Sequence, residues 1–252
     1  MMAEEVLTKK VEDFVALLTL NRPGQANSLS RALFLAIRQE MEELEYDDNV
    51  RVILMTGAGR KAFCAGVDLK ERAKMAKSDI LSDREKVVKP CFDAIREVTK
   101  PIIAAVNGVA LGGGAELALA CDIRVASENA RFGQTEIKWG MMPACGGCQR
   151  LRMIVGPGMA KEIVLTGRIM EAEEALRLGI YNRVVSEDDL MEEAKKLALE
   201  IAQNSPIAVR QAKRAIDIGA HLSESFDFEF EVSKACYSAG EAMTGPQKFK
   251  SP

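Results

Sequence analysis
Residues 100–151 constrain this chain more than any other stretch. They open with Ile102–Val106, a β-branched and alanine run held between Pro101 and Asn107-Gly108. Such a run reads as a buried strand ending in a turn. Three consecutive glycines follow, Gly112, Gly113 and Gly114, and then residues 115–120, which suit a helix. A glycine-rich loop that opens a helix leaves backbone N–H groups unpaired at the positive end of the helix dipole. Those groups can hold negative charge developing on an oxygen. Two carboxylates, Glu116 and Glu136, stand in these apolar, glycine-marked surroundings. A Glu on an Ala/Leu helix is rarely buried without a partner or a task. Glu116 is therefore either a hydrogen-bonded structural carboxylate or part of an active site, and Glu136 either a solvated loop charge or its companion. Residues 102–121 have about the length of a membrane span, but Asn107, Glu116 and four glycines argue against one. No G-x-x-x-x-G-K-[ST] is present, and the triplet does not fit G-x-G-x-x-G followed by a distant acid, so a nucleotide-phosphate loop is not expected.

The rest of the chain frames this stretch. Residues 14–20 read as a strand that stops at Asn21-Arg22-Pro23. Asn27 to Ser30 offer N-cap residues for a helix to about Glu45, with an apolar stripe of Leu29, Leu33, Ile37, Met41 and Leu44. Residues 52–55 read as a buried strand. Residues 63–65 lead into Gly66 and a charged helix over 69–75. Residues 78–82 read as a mobile polar connection, 83–98 as a helix ending before Lys100-Pro101, and 121–126 as a strand. Helices are expected over 158–166 and 172–178, and a last strand at Val184-Val185. From Asp188 onward three helical stretches, 188–203, 207–218 and 222–239, follow without a strand. Strands and helices that alternate and then give way to helix alone predict an α/β core over 1–187 and a helical region over 188–252.

At 252 residues the chain can bury a sizeable core. A net charge of −3 gives no reason to expect nucleic acid or an anionic membrane as partner. The first ten residues show no apolar segment behind a basic start, and the six cysteines form no small-domain framework. A cytoplasmic protein with reduced thiols is the expectation.

Three ordered motifs resemble the enoyl-CoA hydratase/isomerase (crotonase) superfamily. They are AFCAGVDL from Ala62, NGVALGGGAELALACD from Asn107, and FGQTEIKWG from Phe132 with GGCQRL from Gly146. The likeness covers roughly residues 7–237. It implies a spiral of strand–strand–helix turns, with C-terminal helices that pack into trimers, often paired as hexamers. It implies an acyl-CoA thioester as substrate and no metal or other cofactor, coenzyme A being part of the substrate. Hydrating an α,β-unsaturated thioester needs charge stabilised on the thioester oxygen, and a water added with a proton delivered to carbon. By resemblance the oxyanion donors are the N–H groups of Ala65 and Gly113, and the acids are Glu116 and Glu136. Glu136 is then the group that protonates the α-carbon, and Glu116 orients or deprotonates the water. Ala65, Gly66, Val67, Asp68, Gly112, Gly113, Gly133 and Trp139 are the implied substrate-binding residues, with Gly133-Gln134 and Trp139-Gly140 shaping the acyl end. Family isomerases commonly lack an acid at the Glu116 position, so the resemblance puts a hydratase first and a Δ3,Δ2-enoyl-CoA isomerase second. Residues 63–75 are also similar to methylglutaconyl-CoA hydratases. A non-catalytic acyl-CoA-binding scaffold is the alternative of another class.

Several residues invite other chemistry. Cys145-Gly-Gly-Cys148 has the C-x-x-C spacing of redox and half-zinc sites. Zinc needs two more ligands, and the chain offers only His221 and four dispersed cysteines. By resemblance the motif is a helix start where small residues are usual. A lone His221 and the lack of G-x-S-x-G weaken a Ser-His-Asp reading. Lys70, Arg72 and Lys74 are expected to face solvent, with coenzyme A phosphates as the alternative partners. The tail after Tyr237 is shorter than in relatives, which leaves Phe249 and Lys250 as candidate coenzyme A contacts.

Overall fold
The computed structural model describes residues 5–218 together with Lys234, Tyr237 and Ser238. Aliphatic runs supply a six-stranded sheet. Its strands, in spatial order, are Leu7–Glu12 (β1), Val15–Leu20 (β2), Val52–Gly57 (β3), Ile102–Val106 (β5), Ile123–Ser127 (β7) and Arg183–Val185 (β10). All are parallel except β1, which pairs antiparallel with β2. A second sheet of four short strands holds Ala62–Cys64 (β4), Val109–Leu111 (β6), Arg131–Gly133 (β8) and Met170–Glu171 (β9), with β9 antiparallel.

The helices are Arg31–Tyr46 (α1), Leu69–Lys74 (α2), Lys77–Asp83 (α3), Lys89–Glu97 (α4), Gly113–Ala120 (α5), Gly147–Thr166 (α6), Ala172–Arg177 (α7), Leu190–Ala202 (α8) and Pro206–Ile218 (α9). Each turn of the chain rises through the large sheet, crosses to the small one and returns by helix. The turns are β3–β4–α2 to α4, β5–β6–α5, and β7–β8–α6. This is the expected strand–strand–helix spiral.

Alternate residues of the central strands serve two cores. Ile53, Met55, Ile102 and Ala104 bury against Leu33, Ile37 and Met41 of α1 and Ile95 of α4. Val52, Leu54, Ile103 and Ala105 bury against Leu190, Ala194, Leu197 and Ala198 of α8. A parallel sheet must be covered on both faces, so α8 completes the sheet although the expected boundary at 187/188 precedes it. Ser30 caps α1 by accepting from the Leu33 N–H. Lys100, fully buried, reaches the other end of α1 and donates to the carbonyls of Leu44 and Asp47. Asn107 ties adjacent turns together: it accepts from the Gly57 N–H at 3.1 Å and donates to the carbonyls of Gly57 and Gly59 at 2.9 and 2.7 Å.

Five differences from the sequence reading have local causes. Residues 78–82 lie in α3, anchored by buried Ile80, and form no loose connection. The helix expected over 83–98 starts with a π turn, Arg84–Val88, because Pro90 lacks an N–H and crowds the preceding turn. The expected strand at 121 begins at Ile123, after Cys121 ends α5. The helix expected from 158 begins at Gly147 and kinks at Gly156, whose φ is +76°. Strands β1, β6, β8 and β9 were not anticipated; the last three hold only two or three residues each, too few for an alternation to register. Most of the helix expected over 222–239, His221, Phe249 and Lys250 lie outside the described residues. Among the described residues no helix is long and apolar enough to cross a membrane.

Candidate active site
The two sheets' connections meet at a cleft of about 630 Å³, partly open to solvent. Ala65, Gly66, Val67, Gly112, Gly113, Glu116, Glu136 and Trp139 all line it, although they come from three successive turns of the spiral. Two implied residues stand elsewhere. Asp68 caps α2, accepting from the N–H groups of Lys70 and Glu71 at 3.1 Å each and pairing with Arg22 at 2.9 Å. Gly133 ends β8; its carbonyl accepts the Gly112 N–H at 2.8 Å, and a Cβ on it would strike the Arg168 carbonyl at 2.9 Å.

The loop after β4 turns at Gly66, whose φ is +100°, a conformation that favours glycine. Its carbonyl accepts from the Leu29 N–H at 2.7 Å, and the Asp68 N–H donates to the Leu29 carbonyl at 3.0 Å. The Ala65 N–H is already engaged, donating to the Ala26 carbonyl at 3.0 Å. That corrects the expectation that Ala65 supplies an open donor: the turn at Gly66 aims the next amide, Val67, where Ala65 was expected. The Val67 N–H has no acceptor among the described residues, and neither has the Gly113 N–H. The two are close: a Cβ on Gly113 would lie 3.6 Å from the Val67 nitrogen. Gly113 is the first residue of α5, so its N–H also sits at the positive end of a helix. Gly114 is pressed onto β4, with no room for a side chain, since a Cβ would fall 2.0 Å from the Cys64 carbonyl oxygen.

Glu116 is 4% exposed. Its Oε1 accepts from the N–H groups of Cys145 and Gly147 at 2.7 and 3.0 Å. Burial raises its pKa above the ordinary carboxylate range; those two N–H groups and the charges of Arg84 and Arg150 oppose the rise. Glu136 opens a short 3-10 turn, Glu136–Trp139, and is half-buried. Its carboxylate carbon lies 3.5 Å from where a Gly112 side chain would begin, so Gly112 leaves it room. Gln134 is fully buried, and with its amide nitrogen turned to Glu136 it donates to Oε1 and Oε2 at 3.1 and 3.2 Å. The same amide abuts Gly147, where a Cβ would lie 2.9 Å from it. Gln134 thus sits between Glu136 and the N–H that holds Glu116.

Cys145 lies just ahead of α6 and Cys148 in its first turn. Cys145 lines the cleft and its N–H serves Glu116. Of the three charges expected to face solvent, Lys70 and Lys74 do, but Arg72 is 6% exposed and lines the cleft. The signal was in the spacing: Leu69, Arg72 and Met75 recur every three residues, which puts Arg72 on the inward stripe of α2. Nothing in the residue types signalled the Val67 amide.

The geometry offers two converging N–H donors, two carboxylates and a largely apolar wall. A family model described as Enoyl-CoA hydratase/isomerase matches residues 10–251. The chain is 42% identical to the short-chain-enoyl-CoA hydratase of Clostridium acetobutylicum, over 92% of this chain and 91% of that one. It is 37% identical to the crotonyl-CoA hydratase of Syntrophomonas wolfei, over 98% and 96%. The crystal structure of an enoyl-CoA hydratase from Bacillus anthracis superposes with a TM-score of 0.83 at 41% identity, covering 92% of this chain and 90% of the other.

Proposed function
We propose a hydration reaction for this chain, which belongs to the enoyl-CoA hydratase/isomerase family: water adds across the α,β double bond of a 2-enoyl-CoA thioester to give a 3-hydroxyacyl-CoA. The pair of unoccupied N–H groups beside two carboxylates carries this reading. The thioester oxygen accepts from Val67 and Gly113. As water attacks C3, charge moves onto that oxygen, and two preoriented donors stabilise it without reorganising. Glu116 takes a proton from the water, a role its burial-raised proton affinity suits. Glu136 gives a proton to C2, and a proton returned from Glu116 resets it. Gln134 orients Glu136. Each atom of the water ends in the product, so the reaction as written uses no metal or redox cofactor.

The direct test is crotonyl-CoA hydration, followed as loss of the conjugated-thioester absorbance. The expected result is turnover by the wild-type chain. Failure with crotonyl-CoA and with longer and branched 2-enoyl-CoA thioesters would refute hydration, and failure with 3-enoyl-CoA isomerase substrates as well would leave a binding scaffold.

The reading extends to assembly as a homotrimer, or a hexamer of paired trimers. Apolar side chains left exposed on one protomer support it: Leu165 is 68% exposed and Ile169 46%, and Gly167 between them adjoins Ile137 of the Glu136 turn. Sedimentation analysis is expected to return three or six times the mass of one chain, and a monomer at micromolar concentration would refute the assembly.

A further inference from the structure
The cleft has a neighbour. A second hollow of about 300 Å³ adjoins it, and Phe92, Ala144 and Cys145 line both. These three buried residues form the partition between the two. Helix α4 serves both sides. Phe92 and, four residues earlier in the π turn, Val88 line the cleft. Lys89, Asp93 and Arg96 line the outer hollow, where Asp93 pairs with Lys89 at 2.8 Å and with Arg96 at 3.1 Å. Beside Phe92 stands Phe34 of α1, also on the cleft wall, its ring centre 6.5 Å away and its plane tilted by 54°. The second ring braces the first.

This partition stands where an acyl chain would end. The thioester oxygen is received by Val67 and Gly113 at the start of α5, and Glu116, one turn along that helix, faces the reacting carbons. The Cys145 N–H reaches Glu116 at 2.7 Å. The wall next beyond those carbons is therefore Cys145, Ala144 and Phe92. Up to that wall Phe34, Val88, Met141 and Met142 offer apolar surface. Past it a methylene chain would enter the hollow of ion pairs, stripping water from charged groups and returning no hydrogen bond. The volume filled by the Phe92 ring is what a longer chain lacks.

We infer that Phe92 is the stop that sets the acyl length this cleft accepts. The inference rests on the hydration reading for the direction of the chain along the cleft. Binding tests it separately from turnover. Butyryl-, hexanoyl-, octanoyl- and decanoyl-CoA, which are saturated and cannot be hydrated, are titrated calorimetrically. In the wild-type chain affinity is expected to rise ~fourfold for each methylene buried and to stop rising, or fall, within this series. In Phe92→Ala, with folding checked by its thermal transition, the break is expected to move to a longer chain. The decanoyl-to-butyryl affinity ratio should then increase ~10-fold or more, the gain of two buried methylenes. A general weakening of the fold would lower all four affinities together and leave the break in place. Affinity climbing unbroken to decanoyl-CoA in the wild-type chain would overturn the inference, as would an unmoved break in a folded Phe92→Ala. If that variant does not fold, Phe92→Leu, a smaller change of volume, takes its place under the same criterion. A break that moves with Phe92 in a protein that hydrates no enoyl-CoA would sink the proposed reaction and leave the stop standing; crotonyl-CoA turnover with an unmoved break would do the reverse.

Discussion

Gly113→Pro is expected to lower kcat/KM for enoyl-CoA hydration by ~10²–10³, the usual effect of deleting one oxyanion donor. The substitution removes the donor hydrogen and puts a ring carbon in its place. Gly113 is the first residue of α5, and the first helical position tolerates proline because its N–H has no intrahelical partner. A Cβ there meets Leu29 Cδ1 and Val67 Cγ2 at 3.4 Å, close contacts with the ends of two side chains. The fold should therefore persist, and far-ultraviolet circular dichroism with a thermal melt would verify that it does. A folded variant with near wild-type turnover would remove Gly113 from the mechanism.

Glu136→Gln should lower kcat by ~10² or more, in line with loss of a general acid. The amide has nearly the shape of the carboxylate, and its oxygen can still accept from Gln134, so loss of activity would report lost proton transfer. Steady-state kinetics on a saturating enoyl-CoA separates this from weaker binding: kcat should fall and KM should change little. Near-normal kcat would reassign the proton delivered to C2. Glu116→Gln is the useful companion, because an amide oxygen can keep both bonds from Cys145 and Gly147.

The parts of this molecule that were legible in sequence are those whose chemistry is carried by residue type. The glycine triplet and Glu116 mark a helix start pressed against a strand, because only glycine fits at 114. The stripe from Leu29 to Leu44 announces α1, and each of its five residues is buried. What was not legible depends on backbone direction. Whether Ala65 or Val67 offers its N–H turns on the φ of Gly66, which no side chain encodes. The burial of Arg72 depends on Arg84 and on Tyr237, which is 165 residues away along the chain. The small sheet escaped because strands of two or three residues carry no period, and its order emerges only when the spiral stacks them.

That small sheet has a metrical consequence. Val67 stands three residues beyond Cys64, the last of β4, and Gly113 two beyond Leu111, the last of β6. The two strands are parallel neighbours, and neighbouring strands lie about 4.8 Å apart. The gap between the two amides is thus inherited from the repeat distance of the hydrogen-bonded lattice, with Gly114 clamped on Cys64 as the stop. Side chains around the cleft can vary with the substrate while the gauge that receives a thioester oxygen keeps its width.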